Sequence, residues 1–349
     1  MKKLIIDGIE IKPGEQCKIN LDMGRLYDFT EVKIPVEVIR GKKDGPTLFI
    51  CSTIHGDEIN GIEIIRKLLA QKIINKIRGT LILIPIVNVF GFNDRSRYLP
   101  DRRDLNRSFP GLKNGSLASQ LAYKFMNEIV KKSDYGIDLH TGSFHRKNLP
   151  QIRANLKDET TLRLAKSFKT PVIIDSNLRD GSLRESVASL GIPILLYEGG
   201  EALRFDDNII SIGVRGILSL MKEIKMISNS SFRINHKKTF IAKSSYWIRA
   251  RNSGIHIACK KLGDMVKEGD ILGEISNQFG ESKSLLKATE EGIIIGQSLL
   301  PLANKGDALF HIATSRESKD KNQTPISHYD STYDIDSVNY PNNNQNNIS

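Results

Sequence analysis

The sequence predicts an α/β protein with a largely parallel sheet flanked by helices, followed by a small all-β sandwich. Three observations predict it. Between Pro46 and about Ile227, short apolar runs alternate with stretches of helical period. From Thr239 the helical periods vanish, and short strands with frequent turns take over. Within that later stretch a pattern repeats. Gly254-Ile255-His256-Ile257 leads to Gly269-Asp270-Ile271-Leu272, and Gly292-Ile293-Ile294-Ile295 leads to Gly306-Asp307-Ala308-Leu309. Both then reach an isoleucine three residues later, Ile275 and Ile312. Two similar β units predict a pseudo-twofold sandwich in which each half covers the apolar face of the other.

Each element follows from its local pattern. Leu4–Ile11, Cys17–Asp22 and Glu31–Gly41 read as strands, and Lys42–Pro46 (KKDGP) as a turn. Pro46 to Cys51 is a buried strand. Ile59, Ile62, Ile65, Leu68 and Leu69 recur at helical spacing, so a helix runs to about Gln71. Thr80 opens a second buried strand, TLILIPIVNVFGF. Asn93 to Gly111 is polar, arginine-rich and aperiodic, and a loop of that length usually has a function. Ser116 to Lys132 is an amphipathic helix, with Leu117, Leu121, Phe125 and Ile129 on one stripe. Tyr135 to His140 is a short strand, followed by a connection through Pro150. A helix at Glu159–Phe168, a strand at Thr170–Asp175 and a helix at Ser182–Leu190 come next. Ile192 to Glu201 is a buried strand, and Asn208–Ile227 a helix. The domain boundaries are 1–235 for the α/β part, 236–313 for the sandwich and 314–349 for a tail. That tail is polar and ends in an Asn-rich run, so it is expected to be disordered.

Composition bounds the function. A length of 349 residues suits two domains, and 39% hydrophobic residues suffice for a core. The longest apolar run, Leu81 to Val89, is broken by Pro85 and Asn88, so no membrane span is expected. The N-terminus lacks a long apolar segment and a small-residue cleavage site, which argues against a signal peptide. Cys17, Cys51 and Cys259 are far apart and odd in number, so no disulfide framework follows and a reducing cytoplasm is expected. The net charge of +11 is spread along the chain, with no basic helix and no aromatic ladder, so no nucleic-acid partner is expected. A homo-oligomer is left open.

The chemistry collects where strands end. His55-Gly56-Asp57-Glu58 lies between the strand at 46–51 and its helix. An imidazole and a carboxylate three residues apart can point at one metal ion, and a catalytic zinc takes three protein ligands and leaves a position for water. His140 ends another strand and is the best third ligand, with Asp138 placed to orient its ring. In the irregular loop, Asp104-Leu105-Asn106-Arg107 offers a guanidinium fork and an amide that suit a carboxylate. Arg97, Arg102 and Arg103 lie nearby, and one of them could polarise a carbonyl. Glu198 ends an otherwise apolar strand, where a carboxylate needs a reason to be. Beside an activated water it would serve as general base. Glu201, past the glycines, is the rival.

HGDE, DLNRSFPG, DLHTG and YEGGE, in that order, resemble the succinylglutamate desuccinylase/aspartoacylase family, relatives of the zinc carboxypeptidases. The resemblance covers roughly residues 30 to 315, and the four-part order is far more specific than any one part. It implies a mixed, largely parallel zinc-carboxypeptidase-like sheet and one zinc per chain, held by His55, Glu58 and His140. It also implies a carboxylate clamp at Asn106 and Arg107, and a glutamate, Glu198, that promotes attack by water. The family arginine beside the scissile carbonyl most resembles Arg97, and Arg103 is the alternative. The C-terminal part resembles the β-sandwich end of the same family, close to lipoyl- or biotinyl-type modules. Lys283 and Lys287 lie near the expected hairpin tip, but the flanking attachment pattern is absent, so no covalent cofactor is expected.

Together these readings describe a zinc-dependent hydrolase of an amide bond. Its substrate would be an N-acyl amino acid or a peptide with a free carboxylate. A zinc carboxypeptidase acting on peptides or on a glutamate-rich tail would use the same residues. A non-catalytic binding module on the same scaffold is the reading from another class.

Overall fold

The computed structural model describes residues 2–228 and 239–316. The expected domain boundary at 235/236 and residues 317–349 of the expected tail lie outside the described residues.

β1 (Leu4–Ile6) and β2 (Ile9–Ile11) form a small hairpin about Asp7-Gly8. β3 (Gln16–Arg25) and β4 (Glu31–Arg40) form a longer one, and β5 (Lys43–Ser52) leads to α1 (Asn60–Leu69). The KKDGP segment expected as a turn is instead the start of β5. The ladder begins at Lys43 and slips register before Thr47, which absorbs Gly45 and Pro46 into an irregular strand. β6 (Arg78–Ile84) is shorter than expected. Pro85 ends it, and Val89–Asn93 is a short helix, α2, whose Asn88 side chain accepts from the Gly91 N–H at 2.9 Å. α3 (Leu117–Glu128) precedes β7 (Tyr135–Gly142).

The segment expected as a connection through Pro150 is a full strand, β8 (Arg146–Ala154). Proline removes a ladder donor. Here Pro150 falls where the β8 pairing shifts register between Glu198 and Gly200, so no paired donor is lost. α4 (Glu159–Phe168), β9 (Val172–Asp175), α5 (Leu183–Ala188), β10 (Ile194–Glu201) and α6 (Asp207–Glu223) follow, within a few residues of expectation.

β6, β5, β7 and β10 pair in parallel and form the middle of the sheet. β4 and β3 extend it antiparallel on one side, and β8 on the other. One face packs under α1, α4 and α6, through Ile64, Leu68, Phe168, Tyr197 and Ile217. The other packs under the N-terminal hairpins, α3 and α5, through Phe49, Cys51, Leu121, Phe125 and Leu183.

The remaining strands are β11 (Phe240–Ala242), β12 (Ser244–Arg249), β13 (Gly254–Ala258), β14 (Met265–Val266), β15 (Ile271–Ser276), β16 (Ser284–Lys287), β17 (Gly292–Ser298), β18 (Leu302–Ala303) and β19 (Ala308–Thr314). The repeat read from the sequence maps onto equivalent pairs: β13 with β15, and β17 with β19. Each half lends its short strand to the other, β14 to β17 and β18 to β13. Leu272, Ile275, Leu286, Ile294, Phe310 and Ile312 fill the space between. The second half joins the large sheet directly, because β17 pairs antiparallel with β8 from Gly296 to Ser298. Among the described residues no helix is long and apolar enough to cross a membrane.

Candidate metal centre

β5 ends in a left-handed turn at Thr53, whose φ is 59°. A β-branched residue rarely adopts that conformation. Its hydroxyl lies 3.2 Å from both the Ser52 hydroxyl and the Pro85 carbonyl, which hold the turn. The turn throws the chain outward so that His55 and Glu58 return over the carboxyl ends of the strands, where α/β sheets place their sites. Gly56 makes this possible. A Cβ there would lie 2.0 Å from the carbonyl carbon of Gly91, so only glycine lets the two loops touch.

His55, Glu58 and His140 come together, all buried, with one ligand atom from each within 4.8 Å of the others. Glu58 stands between the imidazoles. Its Oε1 is 2.6 Å from His55 Nδ1, and its Oε2 is 2.7 Å from His140 Nδ1. Oε2 also accepts from the Thr141 backbone N–H at 3.0 Å. The far side of each ring faces another carboxylate: His140 Nε2 is 2.8 Å from Asp138, and His55 Nε2 is 3.3 Å from Asp104. Carboxylates in these places fix a ligating imidazole and leave its other nitrogen for a metal. The donor set, two imidazoles and one carboxylate in a buried cluster, fits a divalent cation such as zinc.

The electrostatics agree. Burial alone would push Glu58 up, but the flanking imidazoles outweigh it and hold the carboxyl well below its usual range. Burial would likewise pull His140 down, yet Asp138 and Glu58 raise it well above normal. Asp104 is held far down, against burial, by His55, Arg97 and Arg107.

Arg97 enters the cluster. One amino group lies 3.2 Å from His55 Nδ1 and 3.4 Å from Glu58, and the other donates to Asp104 at 2.8 Å. Arg103 does not enter: its side chain is 63% exposed and faces Asp101. Arg102 is also exposed. Asp104 caps the turn at 105–107, accepting from the Asn106 N–H at 2.8 Å. Asn106 accepts the Leu183 N–H at 2.9 Å, which ties the loop to the start of α5 and leaves its amide donor end for a ligand.

Glu198 is buried on β10 in register with His140 on β7. Asn148 donates to its Oε1 at 2.9 Å, and Arg153 to its Oε2 at 2.6 Å. Gln151 donates more weakly, at 3.4 Å. Glu201 accepts the His145 N–H at 3.2 Å on the rim. Sequence reasoning missed Asn148, Gln151 and Arg153, because Pro150 disguised their strand. It also missed Arg184 of α5, which donates to the Ser176 and Asn177 carbonyls. Burial, and then Arg153, pull that guanidinium down to about 10, against Asp138 and Glu198.

The chain is similar to known proteins over most of its length. Residues 44–224, just over half of the chain, match the succinylglutamate desuccinylase/aspartoacylase catalytic domain. The N-alpha-acetyl-L-2,4-diaminobutyric acid deacetylase of Halomonas elongata is 25% identical over 302 residues, covering 82% of this chain and 87% of the relative. Among solved structures, a succinylglutamate desuccinylase/aspartoacylase from Rhodobacter sphaeroides aligns with a TM-score of 0.78 at 22% identity, covering 91% of this chain and all of that one. The product-bound ectoine utilization protein of Ruegeria pomeroyi aligns at 0.76 and 22%, covering 86% and 95%. At these identities the structural likeness speaks to the fold alone.

Proposed function

The chain belongs to the succinylglutamate desuccinylase/aspartoacylase family, and from that premise we propose that it is a zinc-dependent hydrolase that removes the acyl group from an N-acyl amino acid. The observation that carries the reading is the set of Glu58 and two imidazoles, each imidazole backed by its own carboxylate. A zinc ion held there would supply Lewis acidity and a water of lowered pKa. Glu198 takes the proton of the attacking water and returns it to the leaving amine. Asn148 and Arg153 hold that carboxylate in one orientation throughout. Arg97 donates to the oxygen on which negative charge develops, already aimed by its bond to Asp104. Asn106 and Arg107 grip the carboxylate of the substrate's amino-acid half. The free cysteines suit a cytoplasmic setting.

Metal content and a substrate screen test this reading. Elemental analysis is expected to give about one zinc per chain, lost in His55→Ala/His140→Ala. The zinc-loaded wild type is expected to hydrolyse at least one member of a panel of N-acyl amino acids. Release of C-terminal residues from peptides, with no deacylation, would move the assignment to a carboxypeptidase. A wild type that takes up no metal would leave only a binding module.

A further inference from the structure

We propose that the outer edge of β3 is an interface between two copies of this chain, where β3 pairs antiparallel with its counterpart about a twofold axis at Asn20. The metal centre takes no part, so the inference stands apart from the amide-hydrolase reading.

β3 ends the large sheet. Among the described residues it pairs with β4 alone, so its other side is an open edge. An open edge presents unpaired backbone donors and acceptors to any strand that fits. The register decides which groups these are. The Arg40 N–H donates to the Glu15 carbonyl at 2.9 Å, which makes 15 and 40 a hydrogen-bonded pair in line with the β3–β4 ladder. Such pairs alternate along an antiparallel ladder. Cys17, Ile19 and Leu21 therefore turn their backbone groups to β4, and Lys18, Asn20 and Asp22 turn theirs to the open edge. The same three residues expose their side chains, whereas Ile19 and Leu21 are buried on the other face.

Charge selects one register. A twofold centre at Lys18 sets lysine against lysine, and one at Asp22 sets aspartate against aspartate. Centres at Ile19 or Leu21 set each charge against a neutral residue. A centre at Asn20 puts Lys18 opposite the partner's Asp22, and does so twice. Within the chain Lys18 already stands opposite Glu37, and Asp22 opposite Lys33. The row across four strands then alternates in sign: Glu37, Lys18, the partner's Asp22, the partner's Lys33. Opposite charges directly across a sheet attract, and like charges repel. On the other face Ile19 meets the partner's Leu21, so the apolar row continues as well. The contact is self-complementary, as a twofold interface must be.

The β3–β4 hairpin adds a second feature. Its tip exposes Leu26, Tyr27 and Phe29. The tip is held in shape: the Leu26 N–H donates to the Thr30 carbonyl at 2.9 Å, the Thr30 N–H to Asp28 at 3.0 Å, and the Arg25 guanidinium carbon lies 5.8 Å from the centre of the Phe29 ring. In the ladder centred on Asn20, Gly24 stands opposite the partner's Gln16. The tip then runs on beside the turn that precedes the partner's β3, where the partner's Pro13 offers it apolar cover.

Light scattering on the full chain is expected to give twice the chain mass, falling toward the single mass on dilution. Lys18→Glu sets two pairs of like charges across the axis and is expected to weaken the dimer about 10- to 100-fold. Lys18→Glu/Asp22→Lys is expected to recover most of that loss. Inside each chain this swap worsens the contacts with Glu37 and Lys33, so recovery can come only from across the axis. Asn20→Cys is made with Cys259→Ser, which removes the exposed thiol. It sets two thiols on Cα atoms about 5.5 Å apart, within disulfide reach, and is expected to give a covalent dimer on mild oxidation. Lys33→Cys leaves its thiols three strand spacings apart, about 14 Å, and is expected to give none. Should Lys18→Glu fail to fold, the Asn20→Cys cross-link decides alone. A single chain mass at every concentration, a dimer that Lys18→Glu leaves unchanged, or no cross-link in Asn20→Cys each overturns the interface.

Discussion

Glu198 and His140 stand directly opposite each other on adjacent parallel strands, so the carboxylate and the imidazole rise from one row of the sheet. Neither is tolerable there alone, because burying an ionised group without partners is costly. His140 is satisfied by Glu58 and Asp138, and Glu198 by Asn148, Gln151 and Arg153. The sheet thus carries two polar clusters side by side, one built to hold a cation and the other to hold a carboxylate in a fixed pose.

That pose makes Glu198→Gln informative. The metal ligands are untouched, so metal content is expected to match wild type. Loss of a positioned base is expected to lower kcat about 100- to 10,000-fold. The new amide also turns a donor toward Arg153 or Asn148, so a stability loss of about 1–3 kcal/mol is expected. Steady-state kinetics on folded, metal-loaded protein decide it: near-normal kcat would remove Glu198 from the proton-transfer role.

Asp104 is expected to matter almost as much as the ligands. It faces His55 Nε2, takes a bond from Arg97 and caps the turn that carries Asn106 and Arg107. Asp104→Asn removes the charge but keeps the size. Metal affinity is expected to fall about 10- to 100-fold, as for other carboxylates behind a ligating histidine. Competition with a chelator measures this, and unchanged affinity would show that His55 needs no such partner.

The strand-helix alternation from Pro46 to Ile227 came through because buried parallel strands are continuous apolar runs. The halves of the sandwich came through because they repeat. β8 did not: its site face carries Arg146, Asn148, Gln151 and Arg153, so it has no apolar alternation, and Pro150 imitates a break. TLILIPIVNVFGF misled in the opposite direction. It is apolar throughout, and only Asn88 as a helix cap marks where the strand gives way to a helix. His55, Glu58 and His140 were singled out because strand ends and fixed spacing mark candidate ligands, and the structure brings them together, whereas Arg97 was singled out by the family resemblance. Arg103 was not separable from Arg97, since which of two loop arginines turns inward depends on Asp104 and on the fold of the loop.

Gly56→Ala probes the loop contact behind the metal centre. Its Cβ would meet the Gly91 backbone, which cannot swing aside as a side chain can. A stability loss of about 1–3 kcal/mol is expected from such overpacking. Because the shift falls between His55 and Glu58, metal affinity is expected to fall with it. Thermal unfolding of the metal-free protein beside metal titration separates the two effects. Wild-type values for both would mean that the two loops part without consequence.

His311 makes stability fall on the acid side. Burial first, and then Arg153 and Arg146, push its pKa well below the ordinary value of 6.5, so the folded protein holds the ring neutral. The unfolded chain takes up a proton as pH drops through about 6.5, while the folded chain does so only at lower pH. In that window the unfolded state binds more protons, so acidification favours unfolding. His55 and His140 are shifted upward, so their contribution changes with pH only above about 6.5 and is level in the acid window where His311 acts. The difference between wild type and His311→Gln isolates it. The stability advantage of wild type is expected to shrink by up to about 1.4 kcal/mol per pH unit as pH falls from about 6.5 toward the folded pKa. Denaturant unfolding of both proteins across that range measures the difference. An advantage that stays constant or widens on acidification would mean that His311 takes up its proton in the folded protein as readily as in the unfolded chain, despite its stack on Trp247 with ring centroids 4.2 Å apart.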